Sequence, residues 1–378
     1  MTSNDKYCYD IHHNLAIDYV NGEILIGSCC QSGRILSTET KIDQFWNLKE
    51  LVDLRTDNKQ NKLSESFCHA CTKLEATGNQ SRRNASKEFY DGWISENKNI
   101  RALDIKLGNL CNLKCTICGP DSSTSWIPDA KKLGLPINDR FSYNKNYNNN
   151  LKLQVDDLTI LQDLEMIKFW GGEPLIDEKH ADILEFLDQQ GILKNCRIVY
   201  NTNATQRVSD RVLELWSRAH LVELYFSIDD IGKRFEYQRF GADWNQVVEN
   251  LQWYREALPS NHLFYIMTTV SYLNLWYLPE LYDWKQQNFN ANRMEDPVNI
   301  LLQPAQGICS AEIISTKLQK QLLSQFEKYP DLLEFIKFFK TKLNYIPVEF
   351  LDYVSKLDQI RKTQWAKTFD EFSTILND

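Results

Sequence analysis

Short apolar runs alternate with stretches of helical period from Arg101 onward. The runs RALDIKL, EMIKFW, CRIVYNTN, VELYFSI, LFYIMTTV and VNILLQP are brief and rich in β-branched and aromatic residues, which predicts six strands. Between them the period lengthens. Residues 243–257 predict a helix in which Asp243 caps the start and Trp244, Val247, Val248, Leu251 and Tyr254 form one apolar stripe. Strands and helices in alternation make βαβ units, so the pattern predicts an α/β fold on a parallel sheet.

The flanks read differently. Up to residue 98 the only clear helical period lies at residues 45–54, and the stretch ends in the polar, basic NQSRRNASKEF. This predicts a small domain over 1–98 before an α/β domain over 99–308. The Asn-rich run FSYNKNYNNN, residues 141–150, has nothing to bury and predicts a loop ahead of the second strand. After Ser310 the period is helical: Ile313, Ile314, Leu318, Leu322 and Phe326 share a face, Pro330 breaks it, and Leu333, Phe335, Ile336 and Phe339 resume it. A helical C-terminal extension over 309–378 is expected.

Composition narrows the function. The 378 residues, 43% hydrophobic, suffice for two or three buried cores. With 43 Lys+Arg against 51 Asp+Glu the net charge is −8, so nothing in it favours nucleic acid or another polyanion. The start MTSNDKYCYDIHHN lacks a basic segment followed by an apolar one, and no later run is long enough to span a membrane, so a soluble, cytoplasmic protein is expected. There thiols stay reduced, and ten cysteines point to metal or redox chemistry rather than disulfides.

Cys111, Cys115 and Cys118, in CNLKCTIC, fall directly after the strand predicted at 103–107. Three thiolates on one short loop can meet three irons of a cubane and leave the fourth open, as a catalytic centre requires. The competing reading is a zinc site completed by a distant Cys or His.

Residues 101 to about 305 resemble the radical S-adenosylmethionine (SAM) superfamily, through CNLKCTIC and the run Phe169, Trp170, Gly171, Gly172, Glu173, Pro174. The resemblance implies a partial (β/α)6 TIM-like barrel, a 4Fe-4S cluster on the three cysteines, and SAM at the open iron. It also implies an electron donor such as flavodoxin or ferredoxin. In that family the two glycines admit the methionine end of SAM and the carboxylate or backbone there receives its ammonium, which assigns Gly171, Gly172 and Glu173 to cofactor binding; glycine has no Cβ to obstruct a ligand. Ile117 matches the apolar or aromatic position that packs on adenine. YNTNAT around Asn203 and YFSIDD around Ser227 resemble the ends of the third and fourth barrel strands. Ser227 and Arg239 then match positions that hold the ribose and carboxylate of SAM in the peptide-modifying branch.

Cys8, Cys29, Cys30, Cys68 and Cys71 are five candidates for four ligand positions, with Cys68 and Cys71 on one turn and iron-sulfur and zinc both open. The string C-x13-G-x6-CC followed by CxxC resembles the SPASM and twitch auxiliary-cluster domains, here preceding the barrel rather than following it. It implies an auxiliary iron-sulfur cluster. The C-terminal LDQIRKTQW is reminiscent of twitch-type endings. Two further candidates for chemistry are Asp229, beside Asp230, and Cys309 after the sixth strand; a solvated turn and a buried thiol are the structural alternatives. The six histidines show no paired spacing and receive no catalytic role. The reaction expected is cleavage of SAM to a 5'-deoxyadenosyl radical that takes hydrogen from a peptide or protein side chain. A small-molecule substrate and a non-catalytic metal-stabilised binding protein are the alternatives.

Overall fold

The computed structural model describes residues 6–20, 23–76, 80–90, 99–135, 137, 154–259, 262–289, 299–337 and 339–377. The Asn-rich run 141–150 and Gly22 lie outside them. The chain divides into two compact units, one of Met1–Gly108, Tyr143–Tyr200 and Val208–Val222, the other of Asn109–Ser142, Asn201–Arg207 and Glu223–Asp378.

The strands of the first unit are β1 (Asn14–Val20), β2 (Glu23–Gly27), β3 (Ile35–Ser37), β4 (Ala102–Lys106), β5 (Met166–Trp170) and β6 (Arg197–Thr202, paired through Tyr200). They lie in the order β3-β2-β1-β4-β5-β6. The steps from β1 through β6 are parallel, and β2 and β3 add antiparallel edges. Two of the predicted strands bury their apolar runs here: β4 is buried from Ala102 to Ile105 and β5 at Met166, Ile167 and Phe169.

The N-terminal strands and most of the helices beside them were not expected. β1 is buried at every position but Tyr19 and pairs in parallel with β4, extending the α/β sheet rather than standing apart from it. Helices Lys49–Lys59, Glu65–Ala76 and Arg82–Phe89 follow. The helix Glu65–Ala76 buries Cys71 alone, so it carries no apolar stripe for a sequence reading to find.

In the second unit β7 (Leu221–Ser227, paired from Glu223), β8 (Leu263–Val270) and β9 (Asn299–Pro304) are parallel neighbours. The helix Trp244–Ala257 starts at Asp243, whose side chain accepts from Gln246 N–H, and buries Val247, Leu251 and Tyr254. At the C-terminal side, Ile313 and Ile314 belong to a short strand, β10 (Ile313–Ser315), parallel to β11 (Lys340–Lys342), and not to a helix. Ser315 ends that strand by capping the next helix, Thr316–Gln325, accepting from Leu318 N–H. Pro330 opens a further helix, Pro330–Ile336, since its missing N–H costs nothing in a first turn. Leu318, Leu322, Phe326, Leu332, Phe350 and Val354 share one core.

Candidate functional site

The loop bearing Cys111, Cys115 and Cys118 belongs to the second unit; the first two cysteines are buried and Cys118 is exposed. Its carbonyls are held one by one. Ser125 Oγ donates to Cys111 C=O at 2.7 Å and Ser123 Oγ to Leu113 C=O at 2.6 Å. Trp126 Nε1–H reaches Cys115 C=O at 2.8 Å and Tyr353 O–H reaches Thr116 C=O at 2.9 Å. The loop's own N–H groups at Lys114 and Thr116 donate to Phe240 and Gln238 C=O at 2.9 and 2.7 Å. A turn from Cys118 N–H to Cys115 C=O, 3.0 Å, completes it. These anchors hold the backbone of the loop that carries the three thiols.

Two donors face the sulfurs. Asn203 Nδ2 lies 3.9 Å from Cys111 Sγ and 3.0 Å from Asn112 Oδ1. Arg239, 7% exposed, places Nη1 3.9 Å from Cys115 Sγ and pairs through Nη2 with Asp229 at 2.9 Å. Its Nε–H is buried and has no acceptor among the described residues. A hydrogen bond with Cys118 lowers the Cys115 thiol below its ordinary value; burial opposes this and the Arg239 charge adds to it. Ile117 is half-buried against Cys111, Leu113 and Cys115, and Ser227 is half-buried at the end of β7. Among the described residues no three His, Cys, Asp or Glu side chains converge to hold a single metal ion. A cubane asks something else, one thiolate for each of three irons.

Gly171, Gly172 and Glu173 follow β5 in the first unit. Both glycines are left-handed, at φ 84° and 54°. A Cβ on Gly171 would collide with Lys106 Cγ and lie 2.8 Å from Gly108 O, so close backbone packing demands glycine there. Glu173 is buried, and its Oε1 caps the short turn Pro174–Ile176 by accepting from Leu175 N–H at 3.1 Å.

The five N-terminal cysteines also share the first unit. Cys8 precedes the helix Tyr9–His13, Cys29 and Cys30 form the turn after β2, and Cys68 and Cys71 lie one turn apart on the helix Glu65–Ala76. Gly33 locks that turn to that helix: its N–H donates to Phe67 C=O at 3.0 Å, and a Cβ there would collide with Ser66 O. Cys8 is within electrostatic reach of Cys29, Cys68 and Cys71, whereas Cys30 senses Asp104, Arg82 and Lys168. Burial raises the thiols of Cys8, Cys29, Cys30 and Cys68, so a metal bound there must displace protons.

Asp229 and Asp230 are both buried, not a solvated turn. Besides its ion pair with Arg239, Asp229 accepts a hydrogen bond from Thr269 N–H at 2.8 Å. Asp230 accepts from Arg234 and Gln238 at 3.0 and 3.1 Å, and burial pushes its carboxyl up to about 7. Cys309 is buried with its thiol toward Thr116 C=O at 3.6 Å, and burial raises it to about 12. The sequence reading did not single out Trp126, Tyr353 or Arg361, all of which grip the cysteine loop. The one signal for them was the string LDQIRKTQW, which contains Arg361.

Residues 105–284 match the family model of the radical SAM superfamily. No curated protein sequence matches the chain. Among solved structures, native anSMEcpe with bound AdoMet is similar at 16% identity and TM-score 0.40, over 64% of this chain and 63% of that one. The same enzyme with AdoMet and a Cp18Cys peptide is similar at 15% identity and TM-score 0.39, over 65% and 63%. Streptococcus suis SuiB bound to S-adenosylmethionine is similar at 12% identity and TM-score 0.36, over 87% and 70%. The chain thus spans less than two-thirds of the length of the anSMEcpe structures. The mostly parallel α/β architecture agrees with a radical SAM partial barrel.

Proposed function

This chain carries a radical SAM domain over residues 105–284, and from that premise we propose that it cleaves S-adenosylmethionine reductively and acts on a peptide or protein side chain. The family uses a 4Fe-4S cluster with SAM, and Cys111, Cys115 and Cys118 would hold that cluster here. When bound, cluster and SAM together supply a 5'-deoxyadenosyl radical that abstracts hydrogen from the substrate.

The observation that carries the reading is one arrangement: three thiols on a loop whose carbonyls are pinned by side chains, with a buried arginine 3.9 Å from one sulfur and one N–H still unused. That N–H suits a ligand carboxylate, because a charged donor buried without an acceptor costs stability until an anion meets it. Asp229 orients Arg239 from behind, and Asn203 orients toward Cys111. Ile117 offers an apolar surface for a flat ring, and Ser227 a hydroxyl for a ribose. Gly171, Gly172 and Glu173 are the residues proposed to meet the methionine end of SAM, at a turn where the backbone at Gly171 also packs closely on Lys106 and Gly108.

In the first unit, Cys8, Cys29, Cys68 and Cys71 are the ligands we favour for an auxiliary iron-sulfur cluster, because Cys8 is within electrostatic reach of Cys29, Cys68 and Cys71, with Cys30 the alternative to Cys29. A peptide substrate follows from the likeness of this cysteine set to the SPASM and twitch domains. A flavodoxin or ferredoxin would supply electrons, and the location proposed is the cytoplasm. Among the described residues no helix is long and apolar enough to cross a membrane.

The test is anaerobic reconstitution, iron and sulfide counting, then assay for 5'-deoxyadenosine with dithionite. Wild type should form it, and Cys115→Ala should fall to background. Full SAM cleavage by Cys115→Ala would refute the assignment.

A further inference from the structure

The helix Val348–Arg361 turns one face to the cysteine loop. Tyr353, Leu357 and Arg361 recur every four residues, so they line that face. Tyr353 holds Thr116 C=O, and Leu357 packs with Trp126, whose indole holds Cys115 C=O. Arg361 ends the helix, and its side chain is 2% exposed. Nε donates to Asp129 Oδ2 at 2.9 Å and Nη1 to Thr116 Oγ1 at 3.3 Å. The guanidinium carbon sits 4.8 Å from the Trp126 ring and 4.9 Å from the Phe240 ring. Nη2 is buried and has no partner among the described residues. Every group it touches either belongs to the loop, holds one of the loop's backbone groups or pairs with Lys114.

The charge is out of balance. Asp129 is the one carboxylate for two cations, since Lys114 Nζ also reaches it at 3.1 Å. The trio therefore carries one net positive charge at the loop, with Arg361 buried and the Lys114 side chain 26% exposed. A leucine or methionine would fill the gap between two rings without the desolvation cost of a cation. A cation there becomes useful when the loop's thiolates and their cluster are negative, and more so when the cluster gains an electron.

We propose that Arg361 is a positioning residue for the cluster: it wedges the Cys115–Thr116 turn in place and raises the reduction potential of the cluster that the loop holds. This rests on the reading of Cys111, Cys115 and Cys118 as cluster ligands. The principle is general, in that outer groups and local charge tune a cluster's potential without touching the metal.

The experiment uses full-length Arg361→Gln, Arg361→Lys and Asp129→Asn, reconstituted beside wild type. Iron and sulfide are counted, and the midpoint potential is read by electron paramagnetic resonance titration from the signal that changes on adding SAM. Arg361→Gln should titrate at a more negative potential than wild type, and Arg361→Lys should restore most of the shift. Asp129→Asn, which leaves the cations less compensated, should shift the other way, and it carries the test if Arg361→Gln does not fold. Wild-type potentials in Arg361→Gln, or in Asp129→Asn when that variant stands in, overturn the inference while leaving the ligand assignment intact. A wild-type protein that takes up no iron and sulfide at this loop overturns the ligand assignment, and the inference with it.

Discussion

Arg239 forms an ion pair with Asp229 through Nη2, approaches the Cys115 sulfur with Nη1 and leaves Nε unused. Nothing in its neighbours along the chain foretells those three roles; the resemblance named the residue, and the fold supplies its contacts. Arg239→Lys keeps the charge and removes the planar fork. A charge-assisted hydrogen bond is worth about 1.5–3 kcal/mol, so SAM should bind the loaded variant roughly ten- to a hundredfold more weakly by calorimetry. Unchanged affinity would remove Arg239 from the SAM site. Asp230 makes a different prediction. Its carboxyl is raised to about 7 by burial, so the folded state keeps a proton that the unfolded chain releases near pH 4. The stability this confers is complete below about pH 4 and lost as the pH rises through 7. In Asp230→Asn, urea midpoints should lose that dependence.

At the level of elements, legibility followed local pattern, and β9 was readable although none of its residues is buried. β4 to β9 were readable because their apolar runs are dense and bounded, and the helix Trp244–Ala257 because its cap and stripe agree. β1 and β2 were missed although Asn21-Gly22 between them is a strong hairpin signal. β10 was misread because Ile313 and Ile314 continue the apolar face of the helix after them, and only the Ser315 cap separates the two elements. The helix Glu65–Ala76 was illegible for the opposite reason, having one buried side chain, Cys71. With so little of it buried, a metal on Cys68 and Cys71, the ligands proposed above, should add to its order. Its amides should exchange hydrogen faster in metal-free protein than after loading, and Cys71→Ser should abolish the difference. Equal exchange in both states would argue against Cys68 and Cys71 as ligands.

Across the whole molecule, the titrating groups divide between the two units. In the first, burial lowers His12 and His13 to about 4 and His180 to about 3. These groups are neutral when folded and take up protons once unfolded, so their contribution is present above about pH 6.5 and lost as the pH falls through 4. Three such histidines outweigh the single opposing Asp230, and denaturant midpoints should fall as the pH drops from 6.5 to 4. A flat profile there would refute the burial of these rings. The sequence by itself determined the α/β alternation, the cysteine loop and the Gly171-Gly172-Glu173 run, because these depend on local period, chelate spacing and backbone freedom, all of which act over a few residues. The tertiary structure alone decided which donors face the sulfurs, that Asp229 and Asp230 are buried, and that Arg361 reaches a loop some 240 residues before it. Those facts depend on burial and on charges meeting across the fold, and a charge's partner in three dimensions leaves no mark in the spacing of the chain.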